Sequence, residues 1–152
     1  MDEATFWSLI DRFDWSKDED DDAIIEPAVL ALALLPDSQI QGFQQMLARK
    51  LYALDGRAWA RESGPEMWFG DPDRVAVDGF LYARGLVVAN GREFYESVLA
   101  DPTTFPKDAD FEAILMLAAD AYDRKTGLVW EELDDTDVSY ETFSNTGGWP
   151  AI

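Results

Sequence analysis

Arg84, Arg92, Tyr82, Tyr95 and Asp78 fall within one short stretch, 78–102, of this 152-residue chain. Two guanidiniums and two phenols in one stretch are the residue types that clamp an anion or a substrate carboxylate, because Arg presents paired N–H donors in a fixed fork. Arg84 shares a helical face with Phe80 and Val87, so its guanidinium is expected to be at least partly covered. A covered cation needs a partner. The candidates are Asp78, Asp120 and Asp123, or carbonyls at a helix end. Two readings follow: a structural pair, or a ligand site on Arg84, Arg92, Tyr82, Tyr95 and Asp78.

The missing residue types narrow the chemistry further. The chain has no Cys and no His. Thiol nucleophiles, thiolate metal sites, Ser-His-Asp triads and imidazole proton shuttles are therefore excluded. What remains is carboxylate, Tyr, Lys, Arg or Ser/Thr chemistry, with hard metals on oxygen ligands. Asp18-Glu19-Asp20-Asp21-Asp22 is acidic enough for a cation. Its acids are contiguous and it lacks the turn glycine of a calcium loop, so it reads as a solvated loop over 16–22 whose last members cap the next helix. Asp120 and Glu93 read as helix-surface acids. No phosphate loop, dinucleotide fingerprint or nucleophile elbow occurs. No catalytic residue, metal site or cofactor is expected, and the balance leans away from an enzyme.

Aromatic residues in irregular segments suggest a different use. Residues 63–77 read as a loop punctuated by Gly64, Pro65, Gly70 and Pro72. Met67, Trp68 and Phe69 within it either fold back on the core as a lid or meet a partner. The tail 127–152 carries Tyr140, Phe143 and Trp149 among polar residues and glycines. It reads as an irregular segment laid on the body. Trp68, Phe69 and Trp149 are the candidate partner contacts.

The elements that position these groups read as helices. Phe6, Leu9, Ile10 and Phe13 mark a first helix over 2–14. A second, over 23–35, is apolar on most sides, with Pro27 in its first turn and Pro36 after it. The stripe Ile40, Phe43, Leu47, Leu51, Leu54, Ala58 predicts one long helix over 38–62, which carries a basic strip of Arg49, Lys50, Arg57 and Arg61. Asp78 caps a helix that stops at Asn90-Gly91. Arg92 restarts one that pairs with Glu96 and ends at Asp101-Pro102. Asp108 or Asp110 caps a last helix that stops at Gly127. The expected fold is all-α: one domain over 1–152, a compact bundle of five to six helices with an irregular aromatic tail.

Charge sits at the ends. Residues 1–22 hold nine acids against Arg12 and Lys17, a net −7; residues 127–152 hold six acids and no base, a net −6; the middle holds sixteen acids against ten bases, again −6, for −19 in all. Such a balance disfavours nucleic-acid backbones and anionic membranes. It favours a basic protein partner, or it serves solubility. No apolar run reaches the roughly 18 residues of a membrane span, and the acidic start lacks a signal peptide's basic residues, so the expected location is cytoplasmic.

Asp78-Gly79-Phe80, Tyr82, Arg84, Gly91-Arg92-Glu93, Tyr95, Leu99 and Asp101-Pro102, together with Phe6-Trp7-Ser8-Leu9-Ile10, resemble the motifs of a bacterial family catalogued as domain of unknown function 4240. Ala83 stands where that family has an aromatic, and Leu86 where it has Trp. The resemblance implies a helical fold and no assigned activity. Together these readings point to a non-catalytic protein-interaction module, of immunity or regulatory type, for a basic partner. The alternative is a small enzyme or ligand-binding protein built around Arg84 and Tyr95.

Overall fold

A computed structural model describes residues 1–69 and 74–151. It is all-helical, with no strand among the described residues. The described residues form seven α-helices: α1 (Glu3–Ile10), α2 (Asp21–Ala33), α3 (Asp37–Ala53), α4 (Arg57–Ala60), α5 (Val77–Ala89), α6 (Arg92–Ala100) and α7 (Leu117–Thr126). Short 3-10 turns occupy Trp15–Lys17, Pro65–Trp68, Pro102–Thr104, Glu112–Met116 and Thr146–Gly148. The chain divides into two compact units, residues 1–47 with 113–137 and residues 48–112 with 138–152; α3 supplies residues to each.

The first unit packs α2 against α7 and α1 against α2. Its core is Phe6, Ile10, Ile24, Ile25, Ala28, Leu32, Phe43, Leu47, Ile114, Leu117, Ala118 and Ala121, all buried. Phe6 and Phe43 meet with ring centroids 5.0 Å apart. Asp2 caps α1, accepting from Thr5 N at 2.7 Å, and Asp20 caps α2, accepting from Ala23 N at 3.0 Å. The acidic run thus ends in a cap, with Asp21 and Asp22 in the positive first turn. That cap starts α2 earlier than its apolar pattern predicts, so Pro27 lies in the second turn and not the first. At the far end of α7, Gly127 takes the left-handed conformation (φ 72°) that stops the helix.

The second unit packs α5 against α6, with the Pro102–Thr104 turn against α4 and α6. Phe80, Ala83, Val87, Val98, Phe105 and Phe111 are buried in it. The structure corrects three expectations. The long helix predicted over 38–62 breaks at Leu54–Gly56 into α3 and α4, which raises the count from the expected five to six to seven. Helix α5 begins at Val77 with Ala76 as its N-cap, so Asp78 lies inside the first turn and does not cap. The Ala76 N–H instead donates to Met67 O at 2.6 Å. Neither Asp108 nor Asp110 caps α7, because the turn at Glu112–Met116 leads into it and Met116 is its N-cap. Asp108 caps the Pro65–Trp68 turn, accepting from Glu66 N at 3.0 Å. Between α5 and α6 the reversal is made by Gly91, at φ 96°.

Candidate functional site

Arg84 is the largest fully buried side chain, at 0% exposure on α5. Its guanidinium carbon Cζ lies over the Phe80 ring, 4.9 Å from the ring centre. Nη1 donates to Leu51 O at 2.9 Å, and Nη2 donates to Thr142 Oγ1 at 3.0 Å. The Thr142 hydroxyl in turn donates to Val77 O at 2.7 Å. Burial pulls the Arg84 pKa down to about 10, opposed by the charges of Asp55 and Glu141. The group therefore stays protonated at neutral pH.

Asp55, also fully buried, sits in the break after α3. Its Oδ1 accepts from Phe143 N at 3.1 Å and from Trp149 Nε1 at 2.8 Å, and its Oδ2 accepts from Asn145 N at 2.9 Å. Gly148 packs so closely on this break that a Cβ there would lie 2.9 Å from Gly56 Cα. This explains why the apolar stripe runs on while the helix does not. A buried carboxylate that collects three N–H donors from the tail holds residues 54–56 in a non-helical path.

The other candidate residues occupy varied surroundings. Tyr82 is half-buried; burial first, then the charge of Glu112 and a hydrogen bond to it, raise its pKa above the ordinary phenol value. Asp78 is exposed. Arg92 Nε donates to Glu96 Oε1 at 2.9 Å on the surface of α6. The Tyr95 hydroxyl donates to Lys50 O at 3.0 Å. Trp68 is buried, its indole donating to Ala60 O at 2.7 Å. Phe69 is 74% exposed with a left-handed backbone, φ 48°. Trp149 is half-buried, edge-on to Phe80 at 6.0 Å and to Phe143 at 4.6 Å. Gly70 and Pro72 of the predicted loop lie outside the described residues. The Arg84 guanidinium thus donates from Nη1 to the Leu51 carbonyl and from Nη2 to Thr142, a residue without a sequence signal of its own, its buried Nε has no partner, and the Tyr95 hydroxyl and Arg92 Nε bond elsewhere.

A cavity of about 510 Å³ lies in the first unit, lined by Asp37, Ile40, Gln41, Tyr122, Leu128, Val129, Trp130, Glu131 and Glu132. Its walls are the start of α3, the end of α7 and the strap that follows Gly127. The strap is tied down by Gln41 Nε2 donating to Asp135 O at 2.7 Å and by Asp137 N donating to Gln45 Oε1 at 3.1 Å. The Tyr122 and Trp130 rings lie 6.3 Å apart, tilted by 33°. Gln41 Oε1 is buried and has no hydrogen-bond partner. None of the candidate residues named from the sequence lies on this wall. The signal available was an aromatic, Trp130, set directly before Glu131-Glu132 just past the end of a helix. Among the described residues, no grouping of three or more acidic side chains is arranged to hold a metal ion, and no helix is long and apolar enough to cross a membrane.

Compared with known proteins, residues 1–124 match the family model described as "Protein of unknown function (DUF4240)". No functionally curated protein and no solved structure matches the chain.

Proposed function

The chain belongs to the DUF4240 family, which carries no assigned activity, and from that premise we propose that it is a non-catalytic module that binds a positively charged partner through its first unit. The partition of charge supports this reading. Residues 1–47 with 113–137 hold eighteen Asp and Glu against four Lys and Arg, a net −14 of the chain's −19; the other unit, with thirteen against eight, carries −5. A field concentrated on one unit steers a cationic partner and sets its orientation. Asp120 reflects that field. Burial, then Asp22, Asp123 and Glu26, raise its pKa, against the lowering effect of Arg124. The predicted anion clamp is less well supported, because two of the Arg84 nitrogens already serve Leu51 and Thr142.

Titration with poly-L-lysine tests the reading. Binding is expected at low salt and should weaken steeply as ionic strength shortens the screening length. It should also weaken when acids of the first unit, such as Asp18, Glu19, Glu131 and Glu132, are replaced by their amides. Binding that ignores salt, or no binding at low salt, overturns it.

A further inference from the structure

We propose that the cavity between α3, α7 and the strap binds an alkylammonium group. The proposal rests on the reading of the first unit as the face for a cationic partner, and it names the place where one such charge is held. Every charged residue on the cavity wall is an acid: Asp37, Glu131 and Glu132. Asp37 is already answered by Lys125, whose Nζ lies 2.6 Å from Asp37 Oδ1 and also donates to Leu35 O at 2.8 Å. Glu131 and Glu132 are exposed and supply the remaining charge.

The uncharged part of the wall points to the same ligand. Gln41 lines the cavity, and its amide orientation is set because Nε2 must face the carbonyl of Asp135. That leaves Oε1 as a buried acceptor without a donor, a cost that a ligand's N–H relieves if the side chain shifts to expose it. Tyr122 and Trp130 offer ring faces, which attract a cation within about 6 Å of their centres. Leu128 and Val129, at 60% and 84% exposure, are apolar surface on which an alkyl stem can lie. The volume is that of an organic ligand's pocket, on the order of 300–1,000 Å³, and no metal-holding group of acids is found among the described residues. A carbon-borne ammonium uses the carboxylates, the aromatic rings and the apolar flank together. The same chemistry comes from the lysine side chain of a basic protein or from a free diamine.

The test uses the full chain labelled with ¹⁵N, titrated separately with 1,5-diaminopentane, with the peptide acetyl-Gly-Lys-Gly-amide, and with the neutral 1,5-pentanediol. The indole N–H of Trp130 and the side-chain amide of Gln41 are the reporters. Saturable shifts of both with at least one amine, and none with the diol, are expected. A response to the diamine alone identifies a free amine as the ligand, and a response to the peptide identifies a protein lysine; either supports the proposal. Trp130→Ala should weaken binding by about tenfold, the loss of one strong cation–π contact. Because that change can loosen the strap, Glu131→Gln/Glu132→Gln is the second variant, which keeps the packing and should weaken the amines similarly. Shifts with the diol equal to those with the amines, or no shift with either amine, overturn the proposal. If poly-L-lysine still binds while Trp130 and Gln41 stay silent, the cavity assignment falls and the charged face stands. If poly-L-lysine does not bind, the charged face falls whatever the small amines do.

Discussion

The indole of Trp149 donates to the carboxylate of Asp55 at 2.8 Å, joining positions 94 residues apart. Together with the bonds from Phe143 N and Asn145 N, this contact makes Asp55 the anchor of the tail. Asp55→Ala leaves three donors without their acceptor. It is expected to cost about 3 kcal/mol, read as a lower urea midpoint with unchanged slope. Asp55→Asn keeps one acceptor oxygen and should cost about half as much.

Thr142 both accepts from Arg84 and donates to Val77 O. Thr142→Val keeps the shape and removes both bonds, at an expected cost of about 2 kcal/mol, since one of them serves a charged donor. Thr142→Ser keeps the hydroxyl and should lose well under half of that. A loss in Thr142→Ser with none in Thr142→Val, measured by urea denaturation, would show that the methyl group matters and the hydroxyl does not.

Gln44 is fully buried in the first unit, and neither amide atom has a hydrogen-bond partner. Gln44→Met preserves volume and removes the two unsatisfied atoms. A gain of about 1 kcal/mol is expected, seen as a rise in Tm of about 2–4 °C for a chain of this size.

Asp120 gives a pH signature. Its pKa is raised in the folded state, by burial and by Asp22, Asp123 and Glu26, so folding takes up a proton. The linked contribution to stability is present below the ordinary value of 3.8 and is lost as pH rises through the folded value. Asp120→Asn removes the penalty. The variant should be more stable than the parent at pH 7, and the gap should close below the ordinary carboxylate range. A gap that is constant with pH in thermal melts would refute this account.

Helix content was legible from periodicity, because the apolar stripes of α1, α2 and α5–α7 are local. The burial of Arg84 was legible too, from Phe80 and Val87 on its face. Its acceptor was not: Thr142 lies 58 positions away, and nothing in a lone threonine marks it. Asp55 sits inside a stripe that continues through Leu54 to Ala58; the local Asp55-Gly56 break signal is masked by that stripe, and the tail's N–H groups that hold the helix end there are far away in sequence. The cavity escaped for the same reason. Tyr122, Trp130 and Gln41 meet through the path of the strap, which no spacing rule encodes.

The residues that satisfy Asp55 and Arg84 from the tail, Thr142 to Trp149, all lie beyond the segment 1–124 that matches the family. The family outline therefore leaves out the groups that answer Asp55 and one of the two that answer Arg84. An expression fragment ended at Arg124 would carry a stranded anion and a half-stranded cation into the interior of its second unit, and should come out of the cell as aggregate.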